Sequence, residues 1–178
     1  AAATRAMFAR SASRRPGILR FELASSGGEE IAASDPGEVG LDSIDWASAA
    51  LASSDRALIA PVSRDHPHVI LGYPIRDDSG RTLGALGLFV DLQSLQDAFD
   101  SVPLAAGAVV TVTSVDGRIL MRSINPERFV GSLAPGEPRQ GVAPPHRAVG
   151  LDGVERVYAE ALAAVGWRAS GGMPMAIA

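Results

Sequence analysis

The stretch Gly72–Gln96, GYPIRDDSGRTLGALGLFVDLQSLQ, contains an apolar strand, a tight turn and a second apolar strand that runs directly into a helix. The turn is predicted from Asp78-Ser79-Gly80, because aspartate, serine and glycine satisfy or relax the local backbone. Leu92, Leu95 and Phe99 follow at helical spacing and define one apolar face. This arrangement predicts antiparallel strands whose last member leads into a helix.

The order strand, turn, strand, long gap, strand, turn, strand, turn, strand occurs twice in the chain. Turn positions 27, 65 and 78 of the first copy match positions 116, 152 and 165 of the second, at separations of 89, 87 and 87 residues. A supersecondary unit repeated at a nearly constant offset indicates two copies of one small fold. The sequence therefore predicts an α+β protein with two antiparallel sheets in tandem and an N-terminal helix.

Hydrophobic period and turn residues predict the individual elements. The first copy is predicted to contain a helix at Ala2–Ser13, strands at Ile18–Leu23 and through Ile31, a helix at Leu41–Ser53 capped by Asp42 or Ser43, strands at Arg56–Val62, His68–Arg76 and Arg81–Asp91, and a helix at Leu92–Phe99. The second is predicted to contain strands at Ala108–Ser114 and Arg118–Arg122, a helical turn at Asn125–Phe129, an irregular loop at Gly131–Pro145, and strands at Arg147–Leu151, Val154–Ala161 and Gly166–Met173.

Composition excludes several classes of function. The chain has 178 residues, 47% of them hydrophobic, and a net charge of −4, which argues against nucleic acid as a partner. It has no cysteine, so disulfides and thiolate chemistry are excluded. No apolar stretch is long enough for a membrane span, and the chain opens without methionine. We expect it to be a piece of a larger protein.

No catalytic or metal-binding motif stands out. The sequence lacks a phosphate-binding glycine loop, an HExxH helix and a G-x-S-x-G turn. His66-Pro67-His68 lacks a usual metal spacing, and we expect it to be a solvated turn. The sequence therefore predicts neither an enzyme nor a cofactor within this chain.

The order of elements resembles the double Cache (PAS-like) extracytoplasmic sensor domains of bacterial receptors. The resemblance rests on residues 72–96, 109–123 (VVTVTSVDGRILMRS), 125–131 (NPERFVG) and 150–174 (GLDGVERVYAEALAAVGWRASGGMP). The first stretch is similar to the family's P-x-R-D-x-x-G-x-x-x-G hairpin. The last is similar to its closing D-G-x-x-R, G-W and P segment.

The resemblance implies three parts: the end of a stalk helix (1–17), a membrane-distal subdomain with its connecting helix (18–99) and a membrane-proximal subdomain (100–178). It implies the periplasmic ligand-sensing domain of an inner-membrane receptor that acts as a homodimer. The expected receptor is a sensor histidine kinase of a two-component system. The alternatives are a diguanylate cyclase, a chemoreceptor, or a protein-interaction module without a small ligand.

The distal subdomain is the expected ligand site, for an amine, amino acid or carboxylate. Asp91 ends an apolar strand, where a carboxylate is costly unless paired or solvated. The resemblance implies that it grips a ligand ammonium, whereas helix capping is the alternative. Trp46 and Tyr73 are candidate aromatic walls or core residues, and Arg64 is a candidate carboxylate partner. The proximal subdomain, with its proline-rich loop, is expected to have the poorer pocket.

Overall fold

Two compact units, Ala1–Ser94 and Leu95–Ala178, make up the chain. The computed structural model describes residues 2–15, 17–34, 45–54, 57–59, 68–136, 141–163 and 166–175. The boundary between the units falls inside a helix, a few residues before the domain boundary predicted at residues 99 and 100. Within the described residues, no helix is long and apolar enough to cross a membrane.

The first unit is a five-stranded antiparallel sheet with helices. Its elements are α1 (Ala2–Ser13), β1 (Ile18–Ser25), β2 (Glu30–Ala33), α2 (Trp46–Ala52), β3 (Ala57–Ile59), β4 (His68–Arg76), β5 (Thr82–Asp91) and α3 (Leu92–Asp100), which continues into the second unit. The strand order is β2-β1-β5-β4-β3. The last strand, β5, therefore lies at the centre of the sheet, between β1 and β4.

The second unit repeats this topology. Its elements are β6 (Val109–Thr113), β7 (Ile119–Arg122), α4 (Pro126–Phe129), β8 (His146–Val149), β9 (Glu155–Leu162) and β10 (Arg168–Pro174). The strand order β7-β6-β10-β9-β8 is the order of the first sheet with every strand number raised by five. The predicted α+β fold with two tandem antiparallel sheets is confirmed.

Two local predictions for the first unit need correction. Helix α2 begins at Trp46 and is capped by Asp45, whose carboxylate accepts a hydrogen bond from the Ser48 backbone N–H at 2.9 Å. The predicted caps, Asp42 and Ser43, lie outside the described residues. His68 is not solvated: it opens β4 opposite Asp91 and is only 2% exposed. Pairing of β4 with β5 includes this residue, so His68 belongs to the buried start of the strand and not to a solvated turn.

The two faces of the first sheet are covered by different helices. On one face, Trp46 of α2 packs edge-on against Phe89 with ring centroids 6.1 Å apart. The indole lies over Gly87, where a Cβ atom would approach its ring carbons to 2.9 Å. On the other face, Phe8 of α1 stacks on Phe21 at 5.6 Å. The first unit therefore buries apolar side chains on both sides of its sheet.

The hairpin between β4 and β5 is held by its own polar residues. One oxygen of Asp77 accepts hydrogen bonds from the backbone N–H groups of Ser79 and Arg81, each at 3.0 Å. Arg76 donates to the Thr82 hydroxyl and to the Ser53 carbonyl, both at 2.7 Å. These bonds fasten the hairpin to the end of α2, so the Pro74–Gly84 motif has a structural role in this chain.

We predict that Gly87→Ala lowers the free energy of unfolding by about 1–3 kcal/mol, because the new methyl group must displace the Trp46 indole. Urea denaturation followed by tryptophan fluorescence measures both the stability and the changed indole environment. Gly171→Ala is the matched control, since a Cβ atom on this β10 glycine has no neighbour within 4 Å. Equal effects of the two substitutions would contradict the close packing of Trp46 on Gly87.

Candidate functional site

A cavity of about 640 Å³ lies over one face of the second sheet. Its floor is formed by β6, β9 and β10, and residues 134–136 and 141 contribute to its rim. The volume is within the range of small-molecule sites. The second unit therefore has a pocket of ligand size, and the expectation that it is the poorer of the two stays a prediction. In the first unit, segments 35–44 and 60–67 lie outside the description.

Four polar residues form a row across the cavity floor. Arg122 on β7 pairs with Thr111 on β6, which pairs with Ser170 on β10, which pairs with Glu160 on β9. Directly paired residues of antiparallel strands place their side chains on the same face of a sheet. All four line the cavity. The row therefore has a cation at one end, a carboxylate at the other and two hydroxyls between them.

Arg122 is a buried guanidinium, 2% exposed. Its Nη1 donates to the Thr111 hydroxyl at 2.6 Å and its Nε to the Ile124 carbonyl at 3.1 Å, while the group lies 5.0 Å from the centre of the Phe129 ring. Its Nη2 is buried and has no hydrogen-bond partner among the described residues. Burial lowers the pKa of Arg122, although the nearby Asp152 opposes this effect.

The backbone of Arg122 is held by a side chain of α3. The Arg122 N–H donates to the amide oxygen of Gln96 at 3.0 Å, and the Gln96 amide nitrogen donates to the Arg122 carbonyl at 2.9 Å. Gln96 is itself buried and also donates to Asp100 at 2.7 Å. These reciprocal bonds fix the position of the Arg122 backbone on β7.

Arg156 and Asp152 form a buried ion pair near the same face. Both terminal nitrogens of Arg156 bond the two Asp152 oxygens at 2.7 Å, and Nε donates to the Gly107 carbonyl at 3.0 Å. Hydrogen bonds from Arg156 lower the pKa of Asp152 from 3.8 to about 2. This pair comes from the closing motif 150–174 and ties β9 to the segment before β6. Its role in this chain is structural.

Glu160 is also paired, but through one oxygen. Oε2 accepts from the Arg168 guanidinium at 2.6 Å and from the Ala143 backbone N–H at 3.0 Å. Burial alone would raise the pKa of Glu160, but these bonds outweigh burial and lower it. His146 stacks on Tyr158 nearby, with ring centroids 6.2 Å apart. The cavity wall therefore combines an aromatic pair with neutralised charges.

The four residues predicted as a ligand site are not assembled into one pocket by the described structure. Trp46 faces Gly87, whereas Tyr73 pairs with Leu86, the next residue of β5. Adjacent residues of a strand point to opposite faces, so Tyr73 and Trp46 lie on opposite sides of the sheet. Arg64 lies outside the described residues. A common ligand site for this set stays a prediction.

Asp91 caps the helix that follows it. Its two oxygens accept hydrogen bonds from the backbone N–H groups of Gln93 and Ser94 at 3.1 Å, and from the Ser94 hydroxyl at 2.7 Å. The capping alternative is therefore confirmed, and the ammonium-binding role stays a prediction. Trp46 also has a polar partner, since its Nε1 lies 3.3 Å from Oε1 of Glu22.

Arg122 was not among the predicted site residues, although the sequence marks it by a charge at the end of an apolar strand. Arg122 ends the apolar strand Ile119–Arg122, just as Asp91 ends β5, and a charge is costly in either place. The cost of a charge at the end of an apolar strand, which marked Asp91 as a candidate, applies equally to Arg122. The other members of the row could not be found in this way, because only strand register places Ser170 and Glu160 beside Thr111.

The fold is that of the extracellular and ligand-binding domains of histidine kinases and chemoreceptors, which confirms the predicted resemblance at the level of fold. No family model matches the sequence, and no curated protein matches it.

Three solved structures illustrate this likeness. The extracellular domain of rpHK1S-Z16, named as a candidate histidine kinase, superimposes with a TM-score of 0.76 at 14% identity, over 99% of this chain and 78% of its own. The Pseudomonas aeruginosa chemoreceptor PctB, in complex with L-Arg, gives 0.65 at 16% identity over 99% and 88%. The Pseudomonas fluorescens chemoreceptor CtaA, in complex with L-alanine, gives 0.64 at 18% over 98% and 80%.

We predict that the Asp152–Arg156 pair stabilises the fold above about pH 4 and that this contribution is lost as the pH falls toward 2. The sign follows from the lowered pKa: the folded state binds a proton on Asp152 less readily than the unfolded chain does. Asp152→Asn should remove about 1–3 kcal/mol at pH 7, because it leaves Arg156 buried without its counter-charge.

Urea denaturation at pH 7, 4 and 3 measures this contribution. The stability difference between the wild type and Asp152→Asn should shrink as the pH falls. Asp78→Asn is the matched control, since Asp78 is exposed in a turn, and it should change stability by less than about 0.5 kcal/mol. A constant difference across this pH range would contradict the assignment.

Proposed function

We propose that this chain is the extracytoplasmic ligand-sensing domain of a bacterial inner-membrane receptor that acts as a homodimer. The observation that supports this most strongly is the cavity over the second sheet, in a fold shared with domains solved as complexes with amino acids. The cavity is large enough for a small metabolite and has both polar and aromatic walls.

We propose a sensor histidine kinase as the receptor class. The support is the closer fold likeness to the two histidine-kinase extracellular domains, with TM-scores of 0.76 and 0.75, than to the chemoreceptor domains PctB and CtaA, with 0.65 and 0.64. A diguanylate cyclase and a chemoreceptor are the alternatives within the same fold.

We expect at least one compound from a screen of amino acids, carboxylates and amines to raise the melting temperature of this chain. A ligand that binds only the folded state stabilises it by about 2.7 kcal/mol at 100 times its Kd. For a chain of this size, this corresponds to a rise of about 5–10 °C. Differential scanning fluorimetry with ionic-strength-matched blanks measures the shift. If no class of compound shifts the transition, the protein-interaction alternative replaces the sensor.

We also expect the full-length receptor in membrane vesicles to incorporate phosphate from radiolabelled ATP onto histidine. Phosphohistidine is recognised because its label is released by acid and retained in base. A ligand found in the thermal screen should change the rate of labelling. Synthesis of a cyclic dinucleotide from GTP, without histidine labelling, would contradict the kinase assignment and leave the sensor function intact.

A further inference from the structure

We propose that the cavity of the second unit binds a small, singly charged organic carboxylate and that the guanidinium of Arg122 is its anchor. This inference rests on the proposed sensor function and adds the ligand class and the unit that binds it. It places a ligand in the membrane-proximal copy, whereas the sequence favoured the distal one.

Arg122 carries a charge that lacks a carboxylate partner among the described residues. The other two buried arginines of the described chain have carboxylate partners: Arg20 lies 2.6 Å from Glu30, and Arg156 lies 2.7 Å from Asp152. Arg122 has no carboxylate within 4.0 Å among the described residues, and both oxygens of nearby Asp152 are engaged by Arg156. A buried charge without a partner is costly. A carboxylate in the cavity would supply the missing charge.

The guanidinium of Arg122 retains donor capacity. Arg122 lines the cavity, and its Nη2 is the terminal nitrogen without a partner. Nη1 is already bonded to Thr111, whose side chain lies on the same face. Arginine presents its terminal nitrogens as a planar fork that matches a carboxylate. The ordering bonds from Gln96 and Thr111 exist before any ligand binds, so little freedom remains to be lost.

The residues that line the cavity also limit the charge of the ligand. Glu160, at the far end of the polar row, keeps a carboxylate in the cavity wall. Arg168 neutralises it, so a monocarboxylate is tolerated, whereas a second negative charge on the ligand would meet Glu160 without a free cation beside it. The Thr111 and Ser170 hydroxyls between the two ends suit a neutral or polar ligand body. The two ends of the row are three strand spacings apart, roughly 14 Å, so a dianion long enough to reach from Arg122 to Glu160 should bind poorly.

Isothermal titration with two matched pairs tests the anchor: butyrate against butyramide, and phenylacetate against phenylacetamide. Each acid should bind about 10- to 100-fold more tightly than its amide, because a hydrogen bond to a charged group is worth more than one between neutral groups. Amides that bind as tightly as the acids would overturn the proposal, and so would the absence of binding by either acid.

Three variants separate the anchor from a structural role. Arg122→Met should weaken binding of the acids by at least about 10-fold and leave the amides unchanged. Arg147→Gln is the matched control, since Arg147 is exposed on β8, and it should bind like the wild type. Ser170→Leu keeps Arg122 but fills the cavity floor, and it should abolish binding of acids and amides alike.

The outcomes also separate this inference from the sensor function. If Arg122→Met does not fold, Ser170→Leu decides whether the cavity is the site. Acid binding that survives Ser170→Leu would move the site out of this cavity and overturn the inference. If the thermal screen finds only amines or neutral compounds, the sensor function stands and the carboxylate anchor fails. If no compound of any class binds, both fail.

Discussion

Pairing of the first strand with the last strand organises each unit. β1 pairs with β5 from Ile18 to Ser25, and β6 pairs with β10 from Val109 to Thr113, so each closing strand becomes the centre of its sheet. Closing such a long loop costs chain entropy, which must be repaid by packing around the central strand. Both central strands contain a glycine that leaves room for an aromatic side chain: Gly87 lies under Trp46, and Gly172 lies beside Tyr158 of the neighbouring strand.

The aromatic residue that packs on the central glycine determines whether that face of the sheet is a closed apolar core or a cavity. In the first unit, the Trp46 indole lies directly on Gly87 and joins a closed apolar cluster with Phe89. In the second unit, Tyr158 comes from the neighbouring strand, and a Cβ atom on Gly172 would lie 2.6 Å from its ring. A tyrosine from the sheet itself lies along the floor instead of descending onto it. Among the described residues, the face above this floor is left as a cavity.

Most of the charged residues in the stretches that resemble double Cache domains are already bonded within the chain. They are therefore not available to bind a ligand. Arg76 and Asp77 close a hairpin, and Asp152 and Arg156 neutralise each other. Asp91, at the start of α3, is likewise occupied as a cap. Arg122 differs because its position is fixed by backbone and hydroxyl bonds, and no carboxylate of the described residues lies within 4.0 Å of it. Arg122 lies within the resembling stretch 109–123, so these stretches contain both the paired charges and the candidate anchor.

The sequence by itself determined the repeat, the element order and most strand limits, because turn residues and hydrophobic period are local properties of the chain. α1 and β4 have the bounds that these patterns predict. The tertiary structure alone decided which residues meet. Strand register places Tyr73 on the face of the first sheet that is turned away from Trp46. In the second sheet, it places four polar residues in one row: Arg122, Thr111, Ser170 and Glu160. Register depends on pairing between strands distant in sequence, and a shift of one residue would exchange the two faces.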